Sequence, residues 1–140
     1  GKNTAIEKSM ADGKDRVVIS RDDIRVELGY CGADEKYIGT TEEENKVTAI
    51  FTERLKAAAE LGKVVVINNM NNRRKYRDEY KRILKDYNVI WNYIYVEASE
   101  ISKNIERRKN QIPEHVMIRF TEVFDFPTID EYNKLDVIYT

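Results

Sequence analysis

The segment Ser20-Arg21-Asp22-Asp23-Ile24-Arg25 puts a carboxylate and a guanidinium three residues apart, directly after a short apolar run. On a helix that spacing brings Asp22 and Arg25 to one face. A carboxylate so placed can take the proton from a hydroxyl attacking a phosphoryl group, and an arginine one turn later can hold a phosphate. Asp22 and Asp23 equally suit the positive end of a helix, so these residues alone leave both readings open. The first four residues, Gly1-Lys2-Asn3-Thr4, look like the last half of the phosphate-binding loop pattern GxxxxGK[ST]. In that loop backbone N–H groups surround the phosphates and the lysine neutralises their oxygens; an ordinary N-terminal tail is the alternative.

Further along, Asn68, Asn69, Asn71 and Asn72 supply donors and acceptors without charge, which suits positioning rather than proton transfer. Turn propensity accounts for some of them. Cations then gather twice. Arg73, Arg74, Lys75, Arg77, Lys81, Arg82 and Lys85 are spread around one helix and should mostly be solvated surface. Lys103, Arg107, Arg108 and Lys109 surround a polar connector. A basic connector that closes on phosphates stabilises transition-state charge; a solvated helix end facing its own dipole is the competing explanation.

The elements that must position these residues follow from apolar periodicity. Arg16–Ser20 reads as a strand and Arg21–Leu28 as a short helix, followed by a glycine-rich loop to Gly39. A long helix from Thr41 to Leu61 carries a capping box at Thr41 and Glu44, an apolar face of Val47, Ile50, Phe51, Leu55, Ala58 and Leu61, and Gly62 just past its end. Lys63–Asn68 reads as a fully buried strand. A basic helix from Asn72 to Tyr87, a strand Val89–Val96, a helix Ser99–Arg107, a helix from Pro113 to Phe124 and a last strand Val137–Tyr139 complete the order. Strands separated by helices imply βαβ crossovers, a parallel sheet and helices on both faces: an α/β domain.

Composition narrows the class. The chain has 140 residues, the length of one domain, and 24 Lys+Arg against 25 Asp+Glu give a net charge of −1. That balance excludes a globally basic nucleic-acid coat, so any affinity for phosphate must be local. No apolar run approaches the roughly 18 residues of a membrane span, so no membrane partner is expected. GKNTAIEKSM lacks the apolar centre of a signal peptide. One cysteine, Cys31, and one histidine, His115, exclude an internal disulfide and a cysteine- or histidine-rich metal centre. A reducing, cytoplasmic setting is expected.

In order and spacing, GKNT, SRDDIR, YIGTTEEENKV, GKVVVINNMNNRRKYR, RRKNQIPEHVMIRF and FDFPT…DVIY resemble the P-loop polynucleotide 5′-kinases over almost the whole chain. The resemblance implies a P-loop kinase-like three-layer sandwich over residues 1–140, with a lid near 107–112 and without its first strand and part of the phosphate loop. It implies ATP and Mg²⁺ as cofactors and a DNA or RNA 5′-hydroxyl end as partner. Gly1, Lys2, Asn3 and Thr4 would bind the donor nucleotide, with Lys2 on its β- and γ-phosphates and Asn3 at the magnesium position. Asp22 would be the general base and Arg25 the grip on the acceptor's neighbouring phosphate. Asn71 would match the asparagine of a D-x-T-N strand end, Arg77 an arginine further along, and Arg107 or Arg108 the lid arginine. Three departures lie on the donor side. Asn3 replaces the hydroxyl expected after Lys2, the strand end reads Asn68-Asn69-Met70-Asn71, and Lys103 or Asn104 stands where a second lid arginine would be. Two other functions fit the same pattern: a P-loop kinase acting on a small molecule or nucleoside, and a nucleotide- or nucleic-acid-binding relative without turnover.

Overall fold

The computed structural model describes residues 15–31, 39–97 and 124–139. In chain order these form β1 (Arg16–Ile19), α1 (Arg21–Glu27), α2 (Thr41–Glu60), β2 (Val64–Ile67), α3 (Arg74–Ile83), β3 (Asn92–Glu97) and β4 (Lys134–Tyr139). Both strand pairings are parallel, and the domain is α/β as the periodicity predicts. β1 runs beside β2 from Arg16↔Val64 to Ile19↔Ile67, and β3 beside β4 from Asn92↔Lys134 to Glu97↔Tyr139. The expected single sheet is thus seen, among the described residues, as two ladders of two strands each. The helices expected at 99–107 and 113–124 lie outside the described residues, except for Phe124, which is not helical.

One core joins β1 and β2 to all three helices. Ile19, Ile24, Val47, Phe51, Leu55, Ala58 and Leu84 are buried together, with Val65, Ile67, Tyr80 and Trp91 among the residues packed against them. The α2 residues of this set recur at helical spacing, so one stripe of α2 faces the β1–β2 ladder. Leu61, expected on that stripe, is exposed. It is the C-cap residue, and the chain turns there through Gly62 at φ +67°, with Gly62 N–H on the Ala59 carbonyl and Lys63 N–H on Ala58. β2 is half-buried rather than sealed, and Val64 at its start is exposed.

The capping box of α2 stands one residue earlier than expected. Thr40, in extended backbone, accepts from the Glu43 N–H at 3.1 Å, and the Glu43 carboxylate accepts from the Thr40 N–H at 3.2 Å. Thr41 is already helical, so its hydroxyl cannot serve this role. The shift leaves the Glu44 side chain available to α1. Strand β4 begins at Lys134, three residues before the expected start, because alternating Lys134 and Asp136 hide its apolar pattern. Strand β3 begins later than expected, at Asn92. Removing the cap with Thr40→Ala should cost about 1 kcal/mol of stability, whereas Thr41→Ala should be close to neutral; urea unfolding followed by circular dichroism distinguishes the two.

Candidate functional site

Ligands of open parallel sheets bind beyond the carboxyl ends of the strands, and here β1 and β2 end side by side. Ser20, buried at the end of β1, is the N-cap of α1 and accepts from the Asp23 N–H at 3.3 Å. This cap starts a helix at Arg21 and so sets Asp22 and Arg25 on one exposed face. Arg25 Nη1 donates to Asp22 Oδ1 at 2.6 Å. The Asp22 side chain is 82 % exposed and that of Arg25 only 17 %. The carboxylate therefore faces solvent, while the guanidinium behind it is held.

What holds it is Glu44 in the first turn of α2. Arg25 Nε donates to Glu44 Oε1 at 2.9 Å and Nη2 to Oε2 at 3.0 Å, the bidentate fork that fixes a guanidinium in plane. Arg21 Nη2 donates to the same Oε2 at 3.0 Å and also lies 3.0 Å from the Thr48 hydroxyl. Among the described residues, two arginines and two carboxylates meet in this corner and their formal charges cancel. Partial burial alone would lower the Arg25 pKa; the hydrogen bond and charge of Glu44, and then those of Asp22, outweigh it and leave it raised. Arg21, Glu44 and Thr48 have no motif signal of their own, and Glu44 was assigned to the capping box.

The end of β2 supplies uncharged contacts. Asn69 Oδ1 accepts from the Arg21 N–H at 2.9 Å, which ties the first turn of α1 to β2. Asn69 Nδ2 donates to the Tyr80 hydroxyl at 3.0 Å, and that hydroxyl donates to Asn71 Oδ1 at 2.6 Å. Asn71 has a left-handed backbone, φ +47°, a conformation asparagine tolerates better than most residues. Its Nδ2 returns to the Ile67 carbonyl at 3.0 Å. Asn69 and Asn71 thus tie the turn after β2 to α1 and, through Tyr80, to α3.

Most cations of the basic stretch around α3 lie at the surface as expected, with Arg74, Lys75, Arg82 and Lys85 exposed, and Arg77 departs from that pattern. Arg77 is buried, and its Nε and Nη2 reach the Glu131 carboxylate at 2.8 and 3.3 Å; Nη1 donates to the Asn71 carbonyl at 3.1 Å. Arg74 pairs with Asp130 at 2.7 Å, and its N–H donates to the Asp125 carboxylate at 3.1 Å. Asp125 thereby caps α3, whose own N-cap residue Arg73 makes no side-chain cap. Lys81 Nζ donates to the Glu131 carbonyl and lies 5.9 Å from the Trp91 ring centroid. These cations hold the acidic segment 125–131. Burial alone would raise the Glu131 pKa, but hydrogen bonds from Arg77 and the Thr128 N–H and the charges of Arg77 and Arg74 leave it lowered. Hydrogen bonds from Thr128 and Arg74 bring Asp130 down to about 2.

Of the residues singled out in the sequence, Asp22 and Arg25 touch, and Asn71 and Arg77 touch. Gly1, Lys2, Asn3, Thr4, Arg107 and Arg108 lie outside the described residues. Among the described residues no group of three or more histidines, cysteines or acids could hold a metal, and no helix is long and apolar enough to cross a membrane. Arg77→Met, which strands the Glu131 carboxylate in a dry site, should cost about 3–5 kcal/mol in urea unfolding. Because the pKa values of Asp130 and Glu131 are lowered in the fold, the stability they contribute is complete above the ordinary carboxylate pKa of about 4 and lost as pH falls towards 2. The urea midpoint should therefore drop over that window, and less steeply in Asp130→Asn.

No curated protein matches the chain. A family model described as an AAA domain matches residues 1–127, which takes in both strand ends, the Asp22–Arg25 pair and the asparagine turn. The alternating strands and helices with parallel pairing agree with that match, and the chain belongs to this AAA domain family, which is P-loop NTPase-like and includes kinases.

Proposed function

We propose that this domain transfers the γ-phosphoryl group of ATP to the 5′-hydroxyl of a polynucleotide, in nucleic-acid end repair in the cytoplasm. The observation that carries the proposal is the Asp22–Arg25 pair at the end of β1: an open carboxylate joined to a guanidinium fixed by Glu44. Asp22 accepts the proton of the attacking hydroxyl as its oxygen bonds to the γ-phosphorus. The bond from that phosphorus to the bridging oxygen breaks, and ADP leaves. Arg25 turns its Nη1 side towards the same point and orients the acceptor through its neighbouring phosphate. On the donor side, Gly1, Lys2, Asn3 and Thr4 bind the nucleotide, Asn71 borders it from β2, and Arg107 or Arg108 closes over its phosphates. Asn3 would hold Mg²⁺, which when bound would neutralise charge on those phosphates.

The electrical balance of the Asp22, Arg25, Arg21 and Glu44 corner, with α3 occupied by its own acidic segment, favours a second reading. A small-molecule or nucleoside acceptor needs no long basic track. Transfer of labelled phosphate from ATP to a panel of 5′-hydroxyl acceptors tests both. A polynucleotide kinase should prefer acceptors with a 3′-phosphate and lose that preference in Arg25→Ala. Asp22→Asn should lower kcat by about 10²–10⁴-fold, and an Asp22→Asn enzyme at full rate refutes the assigned base.

A further inference from the structure

The polar chain at the end of β2 runs in one direction only. Arg21 N–H is a donor, so the Asn69 atom facing it at 2.9 Å must be the oxygen. The Asn69 nitrogen then needs an acceptor and finds the Tyr80 oxygen at 3.0 Å, which commits the Tyr80 proton elsewhere. It goes to Asn71 Oδ1 at 2.6 Å, and the Asn71 nitrogen closes the chain on the Ile67 carbonyl at 3.0 Å. Turning either amide over would set donor against donor or acceptor against acceptor. The Arg21 N–H and the Ile67 carbonyl set which way the two amides face, and a single hydroxyl, acting as acceptor on one side and donor on the other, links them.

We infer that Tyr80 is a positioning residue, whose hydroxyl sets the Asn69 amide that docks the first turn of α1 and with it Asp22 and Arg25. Its catalytic consequence rests on the phosphotransfer proposed above; its structural consequence does not. The ring has a separate task, packing on Phe51 with centroids 5.6 Å apart, so the hydroxyl can be removed while the core is kept. Burial raises the Tyr80 pKa, which keeps the proton that Asn71 accepts. Asn69 is itself buried, so loss of the hydroxyl is felt in a site with little water. The backbone carbonyl of Asn71, distinct from the Oδ1 of this chain, accepts from Arg77 Nη1 and joins the turn to the Glu131 buttress.

Tyr80→Phe and Asn69→Ala in the full chain test the inference, with amide hydrogen exchange read by NMR in the absence of any substrate. Arg21 N–H should exchange at least tenfold faster in each variant, while the amides in the middle of α2 keep their protection. The double variant should be no worse at Arg21 than Asn69→Ala alone, since both act through one path. In the transfer assay Tyr80→Phe should raise KM for the acceptor. Unchanged Arg21 exchange in Tyr80→Phe, or losses that add in the double variant, overturns the inference. Because exchange needs no turnover, a chain that transfers no phosphate but shows the Arg21 effect refutes the proposed function and leaves the positioning role standing.

Discussion

The guanidinium of Arg77 meets the carboxylate of Glu131 almost out of reach of water: their side chains are 5 % and 0 % exposed. A buried pair of this kind is no great source of net stability, because both ions lose their hydration, but neither can be left without the other. Its consequence is architectural. The β1–β2 and β3–β4 ladders share no hydrogen bonds among the described residues. Segment 125–131, which leads into β4, is fastened to α3 through Glu131, Asp130 and Asp125, and α3 in turn packs on the core beneath β2. Arg77 also reaches the Asn71 carbonyl, so the ion pair bears directly on the turn at the end of β2.

Six of the described arginines fall into two groups by their partners. Arg73, Arg74 and Arg77 are spent on carboxylates of the acidic segment, and Arg82 on Glu79 of its own helix. Arg21 and Arg25 stand at the carboxyl end of β1, clamped to Glu44, with Asp22 open beside them. Charge density along α3 would suggest a nucleic-acid surface there. Pairing shows that most of that charge is already neutralised, and it moves attention to the smaller, exposed corner where a carboxylate and a fixed guanidinium meet. Recognition of phosphate in such a molecule is local, as the net charge of −1 requires.

Much of this was legible in the residues. The parallel α/β order and the short helix carrying Asp22 and Arg25 on one face follow from local patterns, whereas for the asparagines turn propensity competes with a positioning role. What was not legible came from long-range pairing. Glu44 fits a capping box in sequence, and only the backbone at Thr40 shows that Glu43 fills that role and Glu44 faces Arg25. Arg77 looks like one cation of several until Glu131, 54 residues later, is folded against it. Tyr80 belongs to no motif in the sequence; its ring packs on Phe51, and nothing in the spacing announces the work of its hydroxyl. Alternating charges on β4 concealed its first half, because pairing with β3 rather than hydrophobicity sets where it begins.

The division between a working pair of arginines and a structural set is the central claim, and arginine side-chain NMR tests it most directly. Titrating the protein with a mononucleotide that has a free 5′-hydroxyl and a 3′-phosphate should shift the Nε–Hε resonance of Arg25 saturably, with Arg21 following, and leave that of Arg77 in place. A saturable shift at Arg77 or Arg74 with Arg25 unmoved would contradict the account.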